Sequence, residues 1–179
     1  ETLKLRPVLS DYDQLIQARA AARARGELVG VGVATFVEPS SGVGFFESGT
    51  VRVERTGAIT VLTGASSHGQ GHETVFAQVV ADQLRVAMEQ VAVRHGDTLV
   101  VPQGVGTFAS RSAVMGGGAL ALATQRIIDK ARQIAAHLLK VDLADVKFED
   151  GLLSSTKTNR TLTIQEVAAH AMDAAKMPG

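Results

Sequence analysis

The sequence contains no cysteine, no tryptophan and a single tyrosine. Without cysteine this segment can hold no disulfide framework, no iron–sulfur cluster and no Cys-ligated zinc. With aromatic residues at only 4%, there are few platforms on which nucleic-acid bases could stack. No sign of charge dominates either. The 18 basic residues balance 18 acidic ones, so nucleic-acid binding by bulk electrostatics is not expected. No apolar run approaches the roughly 20 residues that a membrane span needs, and the start is not signal-like. The expectation is a soluble, cytoplasmic, globular segment. Its 179 residues suffice to bury a core and suggest one domain spanning 1–179, or part of one, possibly with an appended piece. The first residue is Glu1, and the tail Lys176-Met177-Pro178-Gly179 stops before finishing an element. The sequence therefore reads as part of a longer polypeptide.

What is abundant is glycine, 18 residues of it, concentrated in two stretches. The first is Gly64-Ala65-Ser66-Ser67-His68-Gly69-Gln70-Gly71-His72-Glu73-Thr74. The alternating run Ala58 to Leu62 before it predicts a strand. Phe76, Val79, Val80 and Leu84 after it fall on one face of a helix over Glu73–Val86. A strand, a Gly-rich turn and a helix start can cradle an anion, because glycine lets backbone N–H groups approach a ligand beside the positive helix end. A tight strand-to-helix connection is the competing reading. The loop is not a P-loop, since no Gly-Lys-Ser/Thr closes it. The second stretch, Pro102 to Ser112, leads through Gly116-Gly117-Gly118 into a long Ala-rich helix ending near Lys140. Leu120, Ala123, Ile127, Ile134 and Leu138 mark its expected buried stripe.

Elsewhere the signals are shorter. Ser10 is the expected N-cap of a first helix with Leu15, Ile16, Ala18 and Ala22 on its apolar side, ended by Gly26. Leu28 to Val37 reads as a strand weakened by Gly30 and Gly32, and Pro39 to Gly44 as a loop. Thr50–Glu54 and Ala58–Leu62 should pair as a hairpin around Thr56-Gly57. Val91 to Val93 is a short strand broken by Gly96-Asp97-Thr98. Val146–Phe148 and Leu152-Leu153 flank the hairpin signal Asp150-Gly151. Thr163-Ile164-Gln165-Glu166 is a capping box opening a last helix over Ile164–Ala175. Strands and helices mix without regular βαβ alternation, which predicts an α+β fold of mixed sheets packed against helices.

Two Gly-rich loops in one domain can converge on one extended anionic ligand. Gln70 offers amide groups to a heterocycle, and Thr107, Ser110 and Ser112 offer hydroxyls to phosphate oxygens. Arg111 is the bidentate cation among them, with a structural salt bridge to Asp97 or Glu73 as its alternative role. His68 and His72 stand four apart, but two glycines lie between them and no third metal ligand is evident. Ser66 and Ser67 lack a nucleophile elbow. No metal site and no nucleophile are expected.

Gly69-Gln70-Gly71-His72-Glu73-Thr74, then Gly96-Asp97-Thr98, then Gly106 to Ser112 with Gly116-Gly117-Gly118 together resemble one known family. It is the molybdenum-cofactor-binding large subunit of xanthine dehydrogenase and aldehyde oxidase, above all its carbon monoxide dehydrogenase-type branch. The resemblance runs from about Gly30 to the last helix, and three motifs in order make it specific. It implies a molybdopterin-binding domain of a molybdenum hydroxylase, which oxidises a C–H substrate or carbon monoxide with water as oxygen source. By similarity Gly69, Gln70, Gly71 and His72 lie against the pterin and its phosphate. Gly106, Thr107, Ser110, Arg111, Ser112 and Gly117 would hold the pyrophosphate or nucleotide end, a cytosine dinucleotide. Partner subunits carrying 2Fe–2S clusters and FAD are implied, together with the rest of the large subunit. The family's catalytic glutamate and substrate-selecting loop lie outside this segment, so no residue here is expected to be catalytic, the isolated segment is expected to be inactive, and the substrate stays open. A non-catalytic phosphate- or nucleotide-binding module and a purely structural domain are the alternatives. One departure is local: where the family has Gly-Val-Pro, this sequence has Arg85-Val86-Ala87, which places Arg85 where a helix-ending glycine is expected.

Overall fold

The structure, a computed structural model, describes residues 11–32, 34–40 and 46–173. It divides into two compact units, residues 1–37 and 38–179. In the first unit, helix α1 spans Tyr12–Ala24 with Asp11 as N-cap, and Ala22 is buried. Ser10 lies outside the described residues. The C-cap Arg25 and the following Gly26 return their amides to Ala22 and Arg23, which is the glycine-closed end that the sequence predicts. The expected strand over Leu28–Val37 is not formed among the described residues. Leu28, Phe36 and Val37 are almost fully exposed. Its residues favour an extended chain, but a strand needs a partner ladder, and none is supplied here.

The second unit opens with the hairpin read from sequence. Strands β1 (Gly49–Val53) and β2 (Ile59–Thr63) pair antiparallel with Val53 opposite Ile59. Gly57 takes a positive φ of 88° at the turn and donates its amide to Glu54. Along β2, Ile59, Val61 and Thr63 are buried and Thr60 and Leu62 are half-exposed, the alternation of a sheet with one covered face. Helix α2 (His72–Leu84) then crosses to strand β3 (Val91–Arg94), which joins β2 in parallel. The sheet is thus mixed, in the order β1-β2-β3, and contains one βαβ unit.

Helix α3 (Gly118–Leu139) is the beam of this unit, preceded by a π-helical turn over Ser112–Gly117. It packs on β1 and α2 on one side and on α4 and β5 on the other. Two covered sides shift its buried stripe from the expected one. Leu120 is buried as predicted, but Thr124, Ile128, Ala131, Ala135, Ala136 and Leu139 follow it, while Ala123, Ile127, Ile134 and Leu138 are half-buried at the flanks. Thr124 tolerates full burial because its hydroxyl donates to the Leu120 carbonyl at 2.8 Å.

A second sheet, β4-β5-β6, is antiparallel throughout: Lys147–Glu149, Leu152–Ser154 and Thr161–Thr163. Asp150-Gly151 makes its first turn, both residues at positive φ. Helix α4 (Ile164–Ala171) starts at the predicted capping box, with Thr163 Oγ1 accepting the Glu166 amide at 3.1 Å and the Glu166 carboxylate accepting the Thr163 amide at 2.7 Å. The helix stops at Ala171, with Met172 as its C-cap, short of the expected end at Ala175. The architecture is α+β, mixed and antiparallel sheets against helices, as the sequence predicts. No helix among the described residues is long and apolar enough to cross a membrane.

Candidate functional site

Three loops gather where the parallel strands β2 and β3 end. The first, Gly64–Gly71, connects β2 to α2. It is tied at its root by Thr63, whose buried hydroxyl accepts the Ala65 amide at 3.2 Å. Its rim is organised by its own side chains: Ser67 Oγ accepts the Gly69 amide, and Gln70 Oε1 accepts the His68 amide. The Gln70 carbonyl is thereby engaged within the loop, which leaves its NH2 group as the outward-bonding end of an exposed side chain. Gly69 and Gly71 take φ values of 110° and 72°, and a Cβ on either would meet nothing. Gly71 is the N-cap of α2 and provides no side-chain cap, so the helix start presents polar N–H groups beside open space.

His72 is buried, with its ring 5.1 Å from Phe76 and Nδ1 3.4 Å from the Ala65 carbonyl. The ring packs the loop from behind, away from the exposed His68. Among the described residues no group of three His, Cys, Asp or Glu could hold a metal ion.

The second loop, after β3, is clamped to the start of α2. His95 Nε2 lies 2.7 Å from a Glu73 carboxylate oxygen. That hydrogen bond, followed by one from the Glu73 backbone, holds the Glu73 carboxyl below its ordinary range against the opposing pull of desolvation. Gly96 approaches Ser66 closely enough that an added Cβ would lie 3.8 Å from its hydroxyl.

The third loop, Gln103–Arg111, meets the first at backbone contact. A Cβ on Gly64 would fall 2.4 Å from Gly104 Cα, and the reverse holds for Gly104. Both contacts require glycine, because no side chain can yield there. Between them sits a residue that the sequence reading passes over. The Glu47 side chain is fully buried with that of Arg111, and the two form an ion pair at 2.7 Å. Its carboxylate also accepts the Gly106 amide at 3.1 Å and a long, shared bond from the Val105 amide at 3.4 Å. Arg111 donates to the Gly106 carbonyl at 2.6 Å and the Phe46 carbonyl at 2.7 Å, and stacks 5.4 Å from the Phe108 ring centroid. Its salt bridge is therefore to Glu47 rather than to Asp97 or Glu73. The guanidinium points into the loop's own framework, not outward as a free clamp. The available signal is chemical: a buried arginine needs a carboxylate, and Glu47 stands beside the apolar Phe45-Phe46, an unusual place for a solvated acid.

Around this pair the loop holds Ala109 and Ser110 at φ values of 47° and 50°. Two successive left-handed residues without glycine are strained and persist only where the surroundings fix them. Ser112 Oγ lies 3.1 Å from Thr107 Oγ1, so these hydroxyls come together as one donor set with Ser110 exposed beside them. Gly116 gives the first loop room: a Cβ there would touch Phe76 at 3.1 Å and Ala65 at 3.4 Å. Gly117 is buried in the π-helical turn. Of the predicted residues, Gly69, Gln70, Gly71, Gly106, Thr107 and Ser110 line the loops, whereas His72, Arg111, Ser112 and Gly117 lie mostly beneath them. The chemistry on offer is neutral hydrogen-bond donation to an extended polar ligand.

The sequence profile of the molybdopterin cofactor-binding domain matches residues 8–178. The gamma subunit of the 6-hydroxypseudooxynicotine dehydrogenase complex of Paenarthrobacter nicotinovorans is 39% identical over 160 residues, 89% of this chain and 20% of that protein. The carbon monoxide dehydrogenase large chain of Hydrogenophaga pseudoflava is 40% identical over 152 residues, 78% of this chain and 19% of that protein. Among solved structures, a Cu,Mo-CO dehydrogenase aligns over 96% of this chain and 24% of its own, with a TM-score of 0.70 and 30% identity. Quinoline 2-oxidoreductase from Pseudomonas putida 86 aligns over 99% and 24%, with a TM-score of 0.69 and 34% identity. The chain spans about a fifth of the length of the curated relatives it matches.

Proposed function

Because the chain belongs to the family of molybdopterin cofactor-binding domains, we propose that its converging loops hold the pterin and dinucleotide parts of a molybdenum cofactor. The observation that carries this reading is the backbone contact of two Gly-rich loops at Gly64 and Gly104, beside an uncapped helix start. The donor set fits the group. Gly69, Gln70 and Gly71 offer N–H and amide donors to the pterin side, and Thr107 and Ser110 offer hydroxyl and backbone groups to the phosphate side. His72, Gly106, Arg111, Ser112 and Gly117 stand behind them and give the loops their shape. The dinucleotide is taken to be the cytosine form.

When bound, the molybdenum centre supplies two-electron oxidation of a C–H substrate or of carbon monoxide, with water as the oxygen source. This chain's part is to bind and orient the cofactor. Residues for the chemical step lie elsewhere in the enzyme, so the isolated chain is inactive. The whole protein works with iron–sulfur and flavin subunits that carry the electrons onward. Two of the relatives are a subunit of a dehydrogenase complex and a dehydrogenase large chain, which supports a multisubunit parent.

The test is made in the intact enzyme with Thr107→Val combined with Ser110→Ala. The loss of both hydroxyls is expected to lower the nucleotide released by acid, per polypeptide, about 10-fold, on the order of 1.4 kcal/mol of binding. Unchanged nucleotide content would show that the third loop is not the phosphate site.

A further inference from the structure

We infer that Glu47 and Arg111 are positioning residues of the cofactor site, a charge clip that sets the third loop for its ligand; this rests on the cofactor-site reading above. Four observations carry it. The pair is buried to 1% and 0% exposure, so its charges answer to one another and not to solvent. Its bonds converge on one short segment: the Val105 and Gly106 amides on Glu47, and the Gly106 carbonyl on Arg111. The loop is tied again to the segment before β1, because Arg111 donates to the Phe46 carbonyl and Ser48, next to Glu47, donates to the Gln103 carbonyl. The segment so held runs directly into the left-handed residues Ala109 and Ser110, a conformation that the local sequence does not favour.

Stability is a poor reason for such a pair. Replacing a buried ion pair by apolar groups of similar volume is commonly neutral or stabilising. This one also leaves Arg111 Nε buried without a hydrogen-bond partner, a local cost that calls for an explanation. What the pair supplies is geometry. Glu47 occupies the Val105 and Gly106 amides and Arg111 the Gly106 carbonyl, so the groups left to face a ligand are the hydroxyls of Thr107 and Ser110 and the backbone beyond Gly106. Arg111 accordingly acts through the loop and not as a phosphate ligand.

The experiment uses the intact enzyme and compares Glu47→Gln, the double replacement Glu47→Leu with Arg111→Met, and the hydroxyl variant Thr107→Val with Ser110→Ala. Three readouts are taken: nucleotide released by acid per polypeptide, the thermal midpoint, and hydrogen exchange across 103–111. Glu47→Gln is expected to lower retained nucleotide about 10-fold or more, as loss of an orienting partner does at other sites, and to speed exchange at Val105 and Gly106. The apolar double replacement is expected to recover the midpoint while retaining no more nucleotide than Glu47→Gln. If Glu47→Gln does not fold, the double replacement carries the test alone. Recovery of nucleotide together with the midpoint would overturn the inference and make the pair purely structural. Normal nucleotide in the Glu47 variants, with a fall in the hydroxyl variant, would overturn it while leaving the cofactor reading intact. Normal nucleotide in all three would overturn that reading as well.

Discussion

A single added methyl group separates the glycines of the site into two kinds. At Gly64 it would collide with backbone and a buried carboxylate at 2.4 Å, and neither can move without opening the contact between loops. Gly64→Ala is therefore expected to cost about 3 kcal/mol, the upper end of overpacking penalties, read as a fall in the urea midpoint. At Gly71 the methyl would meet open space but a left-handed backbone, so Gly71→Ala should cost only about 1–2 kcal/mol. Equal effects at the two positions would contradict the loop contact. The glycines were legible in the sequence as a group, because strand–glycine–helix is a local pattern. Their division was not, since it depends on which backbones meet. Arg111 stood out as the one cation of its loop, but its partner Glu47 was not legible, because the pair joins residues 64 positions apart and no short-range spacing encodes it.

Arg85 stands where the family's glycine is expected, yet α2 still ends in the left-handed conformation, with Arg85 at φ 54° and ψ 47°. The turn keeps its geometry and the arginine bears the strain, offset weakly by an exposed bridge to Asp82. Arg85→Gly should stabilise the protein by about 1 kcal/mol, measured by urea unfolding; a loss of stability would mean that the bridge outweighs the strain. At α4, Thr163→Ala should cost about 1 kcal/mol through the lost cap.

The Glu166 carboxyl is held below its ordinary value of 4.5, chiefly by the Thr163 amide and then by its hydroxyl. A depressed carboxylate stabilises the fold above the unfolded value, and that contribution is lost as pH falls through the folded one. Stability should therefore drop below pH 4.5, and Glu166→Gln should flatten that part of the profile. An unaltered profile would remove Glu166 from the account. Hairpins and caps were readable because their signals lie within a few residues. The expected strand over Leu28–Val37 failed for the opposite reason: residue preference is local, but a strand exists only with a partner.

At the scale of the molecule, the placement of the loops follows from one topological fact. Strands β2 and β3 run parallel, so the loops leaving them emerge on the same edge, where open sheets commonly receive ligands. The α3 beam then brings the third loop back to that edge through the π-helical turn at its start. The sequence showed that two Gly-rich loops enter helices. It did not show that they touch, which required the mixed sheet. With Leu28, Phe36 and Val37 almost fully exposed in the first unit, the isolated chain should bind an apolar dye and self-associate. Serine at Leu28 and Phe36 should reduce both effects in sedimentation; a clean monomer before substitution would contradict this.

The central claim is that this chain holds a molybdenum cofactor through its dinucleotide. The most direct test is elemental and nucleotide analysis of the intact enzyme purified with its partner subunits. The account predicts molybdenum near one atom per chain, with cytidine monophosphate released by acid in matching amount. A fully assembled enzyme containing neither molybdenum nor nucleotide would contradict it.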